Sequence, residues 1–369
     1  MIFYIIIMLF WLLLYSLHCR INQLNEYRLY GMKTQVRRYM YVIVPLILIM
    51  GLRHVSVGND TEQYLYRYDN SLALLTDPYV ATEFGYNYLG YFFHYILGAD
   101  WQVYLFCAST FICISLLCFV IRFSPNVYLS LFFYMSIGLF YMNMSGLRQS
   151  LAIALSTFAL LISVAKKGNK KHDIIRLIIS IAVVYGAFTI HNSAFIFFPL
   201  LFCTNFRFSK KQVFFILVVA SSALLLRPVI VQYAGVFLPV RYQTYDLNTE
   251  YLANPLVQVI PIVIPLYCLI KSNTENDGKY DRKISLMFIF AALNIFFMSL
   301  LQSNNQIGRL AYYFLNSYTI LIPYTFYSQT RNNDNRIVNM LVILVCFMYF
   351  LISVPGGTLS IDNYKFFWQ

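Results

Sequence analysis

Three side chains stand where apolar runs begin, and their types are ones that do chemistry. Arg148 lies in GLRQSLAIAL, Arg309 in QIGRLAYYFL and His191 in IHNSAFIFFPL. If each run is a helix starting there, its N-terminus presents about half a positive charge, so a cation is disfavoured unless an anion also binds. Arginine meets phosphate or carboxylate through a planar fork. Imidazole changes charge near neutral pH and suits a base that takes a proton from a hydroxyl. Asp60 in GNDTEQY and Glu83 in TEFGYNY compete for that role. Asp60 also reads as the cap of a following helix, with Gln63 reaching back from the third position. Glu83 reads as a surface carboxylate or a base. Arg53 and Arg227 come at the ends of apolar runs, where a helix C-terminus favours a cation without any ligand. His54 and His94 read as interface residues.

Other chemistries lack their residues. There is no Gly-rich phosphate loop, no G-x-S-x-G elbow and no H-E-x-x-H, which argues against nucleotide-driven transport, serine hydrolysis and zinc proteolysis. The seven cysteines fall in or beside apolar runs, with no CxxC pair or His/Cys cluster. No metal and no cofactor is expected.

The elements that position these residues follow from composition. The chain has 369 residues, 60% hydrophobic and 11% charged. Soluble domains are nearer 45–50% apolar and about 25% charged, so a water-soluble enzyme is excluded, as is a disordered chain. A membrane span needs about 20 apolar residues. Twelve runs qualify, roughly 1–18, 38–52, 101–121, 126–144, 147–165, 174–190, 192–204, 212–230, 255–270, 284–301, 309–327 and 337–354. The 38–52 run carries Pro45 and the 192–204 run is short, so eleven to thirteen spans are expected. The fold class is an all-α polytopic membrane protein, a single integral membrane domain over 1–369. The first run lacks a basic region before it, so no cleavable signal peptide is expected.

Charge gives the orientation. One set of alternate loops holds 20 of the 27 basic residues against 6 acidic ones; the other holds 7 against 9. The basic set is cytoplasmic by the positive-inside bias. The net charge of +12 is thus a topology signal, and nucleic acid is not expected as a partner. Two outer, periplasmic loops are large, 53–100 and 231–254. In the first, TEQYLYRYDNSLALL sets Tyr64, Leu65, Tyr68, Leu72 and Leu75 at helical spacing, and EFGYNYLGYFFHYILG is rich in aromatics. Both read as helices lying at the membrane surface, as an aromatic belt or as a wall for an amphipathic ligand with a sugar head.

Five segments, in order, resemble one family. GLRHVSVGNDTEQYLYRY is similar to the R-x-x-x-x-G-x-D-T-x-x-Y element of the EpsG family of Wzy-type bacterial polysaccharide polymerases. EFGYNYLGYFF resembles its E-x-G-Y segment, GLRQSLAIALSTFALLISVAKK its R-Q-x-x-A helix, IHNSAFIFFPL its H-x-S-A segment and GRLAYYFLNSYTILIPY its late R-x-x-x-Y-F helix. The second outer loop, VRYQTYDLNTEY, matches nothing in that pattern and is expected to carry substrate choice.

The resemblance implies a GT-C-like glycosyltransferase in the bacterial inner (cytoplasmic) membrane. It would join undecaprenyl-pyrophosphate-linked oligosaccharide repeat units on the periplasmic face, making O-antigen, capsule or exopolysaccharide. The catalytic residues expected are His191, Arg148, Arg309 and Asp60. Arg53, Thr61, Tyr64 and Glu83 are expected to hold substrate, with Gln149, Arg241 and Tyr313. The partners implied are the lipid-linked oligosaccharide, the bilayer and a chain-length regulator of the Wzz type. Arginines would supply the positive charge, so no metal is required. Two other readings are a flippase or exporter of lipid-linked sugars, and a related transferase such as a ligase. The near absence of ionisable residues at mid-span leans against transport.

Overall fold

A computed structural model describes residues 2–21, 32–76, 83–165, 169–237, 255–300, 308–328, 334–353, 361 and 363–369. Among these the regular secondary structure is helical. The only β-type pairings are two isolated bridges, Arg53 with Phe366 and Ser209 with Lys279. The chain divides into two compact units, one of Met1–Thr204 with Met340–Gln369 and one of Asn205–Asn339.

The first unit begins with α1 (Ile2–Ile21) and α2 (Met32–Gly51). The 53–100 segment then forms α3 (Thr61–Asp69), α4 (Ser71–Thr76) and α5 (Phe84–Tyr91), and a π-helical turn over Phe92–Ile96. Both stretches expected to be helical are helices, but the first breaks at Asn70. Tyr64 and Tyr68 are buried and Leu72 is exposed. Asp60 occupies the N-cap of α3 as expected, yet its side chain makes no capping hydrogen bond.

Next come α6 (Trp101–Phe123), α7 (Val127–Ser136), α8 (Leu139–Ser145), α9 (Leu147–Ser163) and α10 (Lys170–Ile190). The 192–204 run is not one helix. It forms a 3-10 turn (Asn192–Ile196), a single α turn, α11 (Phe197–Leu200), and a second 3-10 turn.

The second unit holds α12 (Lys210–Ser221), α13 (Ala223–Phe237), α14 (Pro255–Lys271), α15 (Arg282–Leu300) and α16 (Tyr318–Ser328). The final helix, α17 (Asp334–Ser353), runs from this unit's last residues into the first unit's final segment.

Among the described residues three helices are long and apolar enough to cross a membrane: Trp101–Phe123, Lys171–Ile190 and Arg282–Leu300. The count becomes five if the pairs α7–α8, bent by 62°, and α12–α13, bent by 42°, are each one span. This is a multi-pass membrane protein, and among the described residues fewer helices reach full span length than the apolar runs suggested. The reasons are local. α9 has 17 residues, reaching about 25 Å of a 30 Å hydrocarbon core. Lys33, Arg37 and Arg38 occupy the first part of α2. Prolines lie inside α14 (Pro261, Pro265) and α16 (Pro323), each removing one backbone hydrogen bond.

Candidate active site

α9 and α10 pack side by side, with Ser180 Oγ donating to the Ala159 carbonyl at 3.0 Å. Because they run antiparallel, the start of α9 and the end of α10 lie at the same end of the pair. The start of α9 carries Arg148. The end of α10 is capped by His191. α5 crosses that end with almost no clearance. A Cβ on Gly85 would lie 2.3 Å from Thr189 Oγ1 and 2.9 Å from the Thr189 carbonyl carbon, so only glycine permits the approach. Two residues earlier, Glu83 hangs over both functional side chains.

Glu83 joins the site. One carboxylate oxygen accepts from Arg148 Nη1, and the other accepts from His191 Nδ1 at 2.7 Å. The Asn192 backbone N–H adds a third donor. Burial alone would raise this carboxyl, but the His191 hydrogen bond and the Arg148 charge outweigh it and hold Glu83 below its ordinary value. The side chain is 10% exposed, against 23% for Arg148 and 24% for His191. Glu83 is also the one non-glycine among the described residues with positive φ, 90°. That left-handed backbone is uncommon for a side chain of this size and is held only where surroundings dictate it.

The remaining walls are aromatic. The Arg148 guanidinium carbon lies 5.7 Å from the Tyr64 ring centre and 6.0 Å from that of Tyr86, and the two rings are 5.7 Å apart. Tyr86 and Tyr68 continue onto Tyr104 at 6.3 and 5.2 Å. Burial pushes the Tyr64 and Tyr86 phenols up, so both stay protonated at neutral pH. The corner before α9 is braced by Ser150 Oγ, which donates to Asn143 Oδ1 and to the Gly146 carbonyl, each at 2.9 Å.

A helix N-terminus does oppose Arg148, but not His191 or Arg309. Arg148 is the second residue of α9, capped by Gly146 without a side chain, and the anion that compensates it is the protein's own Glu83. His191 stands at the C-terminal cap of α10, so no helix N-terminus opposes it. Arg309 opens a 3-10 stretch, Arg309–Tyr313, rather than an α-helix, so no macrodipole of useful size opposes it. It belongs to the second unit, is exposed, and sits on a segment held by Asn294 Nδ2, which donates to the Ala311 carbonyl at 2.9 Å. Tyr313, from the same segment, is buried.

Arg53 is fully buried and acts as a strut. It donates to the carbonyls of Met50 and Met144, the latter at 2.9 Å, and its backbone bridges Phe366. Burial lowers its guanidinium to about 10, still charged at neutral pH. Thr61 is buried too, donating from Oγ1 to the Val57 carbonyl at 2.7 Å. Gly58 at φ +93° leaves room for the Met144 carbonyl, 2.9 Å from where its Cβ would be. Gln149 follows Arg148 on α9, half-buried. Arg241 and most of the 231–254 loop lie outside the described residues. Among the described residues no group of three or more His, Cys, Asp or Glu is placed to hold a metal.

A largely buried carboxylate bridging an arginine and a histidine, walled by tyrosines in a multi-pass membrane protein, has the parts for acid–base chemistry beside an anion. Comparison with known families agrees in class. Residues 36–366 match the EpsG family. The chain therefore belongs to the EpsG family, whose members are Wzy-like polymerases. No curated protein and no solved structure matches the chain.

Proposed function

We propose that this protein is a polysaccharide polymerase that joins undecaprenyl-diphosphate-linked oligosaccharide repeat units at the periplasmic face of the inner membrane. In this reading the chain is a GT-C-like transferase. The observation that carries the proposal is the Glu83 carboxylate shared between Arg148 and His191.

His191 is the base. With Nδ1–H donating to Glu83, the other ring nitrogen, Nε2, is the lone-pair acceptor, as in carboxylate–histidine pairs generally. The acceptor sugar hydroxyl gives its proton to Nε2 as its oxygen bonds to the anomeric carbon of the growing glycan. The bond from that carbon to the diphosphate oxygen breaks, and the lipid diphosphate leaves with the electron pair. Arg148 supplies positive charge where the leaving oxygen's charge develops. Glu83, with both oxygens engaged, is a positioning residue rather than a competing base. Tyr64 and Tyr86 offer faces on which the apolar side of a sugar ring packs. Asp60 and Gln149 fall to substrate contacts.

The test is the glycan ladder of cells in which this chain is replaced by His191→Gln. The reading predicts single repeat units with no long chains, from protein present at normal level in the membrane. Long chains of normal distribution would overturn it.

A further inference from the structure

Arg148 is less available to an anionic ligand than its position at a helix start suggests, because Glu83 already neutralises it. A second guanidinium lies close by. Arg67 follows Tyr64 by three residues on α3, so the two share a face of that helix. The Tyr64 ring lies 5.7 Å from the Arg148 guanidinium carbon, which turns this face towards the cluster. Arg67 is half-buried, and among the described residues its side chain has neither a hydrogen bond nor an ion pair. Burial and the Arg148 charge lower it, while Glu83 pulls the other way, so all three act within one field. Asp60, at the far end of α3, is about 10 Å away along the helix axis.

Two guanidiniums therefore lie within the field of one carboxylate in a partly buried place. Arg148 Nε is in addition a buried donor with no partner. Uncompensated positive charge and an unmet buried donor both cost free energy that a bound anion would offset.

We propose that Arg67, together with Arg148 Nε, forms the anion seat that holds the diphosphate of the lipid-linked donor. This rests on the donor chemistry of the preceding section and adds a residue to it. The Glu83–Arg148–His191 cluster then handles the transferred proton and the leaving oxygen, while Arg67 supplies affinity.

The experiment uses the purified full chain in detergent, with farnesyl diphosphate, farnesyl monophosphate and inorganic pyrophosphate as probes. Wild-type protein is expected to bind the diphosphate more tightly than the monophosphate. Arg67→Gln is expected to weaken diphosphate binding about 10- to 100-fold, the loss of one charge-assisted contact, with an unchanged melting temperature in the absence of ligand. The same loss with inorganic pyrophosphate supports a seat for the headgroup alone; a loss with the farnesyl compound only supports one that also needs the lipid. Should Arg67→Gln not fold, Arg67→Lys keeps the charge without the fork and is expected to bind several-fold more weakly. Wild-type affinity in a folded Arg67 variant overturns the seat and leaves the donor reading standing. A wild-type protein that binds neither diphosphate overturns the donor reading and the seat together.

Discussion

Replacing Glu83 with glutamine separates charge from shape. Glutamine has the same length but one acceptor and one donor group, where the carboxylate has two acceptors. Both partners, Arg148 Nη1 and His191 Nδ1, now need an acceptor, so one contact becomes donor against donor. The imidazole can escape by moving its proton to Nε2 and accepting from the amide at Nδ1, which disables the nitrogen that takes the substrate's proton. Arg148 keeps a half-buried charge with no counter-ion. Each contact to a charged partner is worth about 1.5–3 kcal/mol. The partners are 23% and 24% exposed, so solvent screens part of this and about 2–3 kcal/mol in total is expected. Loss of a correctly poised base costs about 10²–10⁴ in rate. The assay is elongation of a lipid-linked repeat unit by protein reconstituted in vesicles, beside its thermal midpoint. Glu83→Gln is expected to destabilise modestly and nearly abolish elongation. Wild-type elongation would refute the reasoning, because no other described carboxylate pairs with His191.

Further expectations follow from the same geometry. Arg148→Lys keeps the charge but loses the planar fork, so elongation should fall about tenfold or more in the vesicle assay. Gly85→Ala puts a methyl group against the Thr189 backbone; it should cost about 1–3 kcal/mol and lower activity through displacement of Glu83, both read from a melting curve and an elongation rate. The pH dependence has a definite sign. Glu83 is depressed below its ordinary value of 4.5, so its contribution is present above that pH and is lost as pH falls through its lower folded value. The stability gap between wild type and Glu83→Gln should hold constant above about pH 5 and close in stronger acid.

Much of this was legible in the residues. Arg148 at the start of an apolar run, His191 near a break and the aromatic spacing of the 53–100 segment named the parts, because composition and helical period report local structure. What joined them was not legible. Glu83 meets Arg148 and His191 across 65 and 108 residues, and only the antiparallel pairing of α9 and α10 under α5 creates that meeting. The dipole argument failed at His191 and Arg309 because helix ends were placed by apolarity alone. The chain there turns through 3-10 segments, which apolar periodicity does not distinguish from a regular helix. A run of apolar residues likewise does not reveal a 62° bend such as that between α7 and α8. Arg67 was not legible either, because one arginine on a polar loop helix reads as solvated until its neighbours are in place.

The most direct measurement is single-turnover transfer by His191→Gln protein in vesicles, with binding of the lipid-linked donor followed in the same sample. The account predicts that donor binds within a few-fold of wild type while glycan transfer falls by about 10²–10⁴. Transfer at the wild-type rate with donor bound would contradict it.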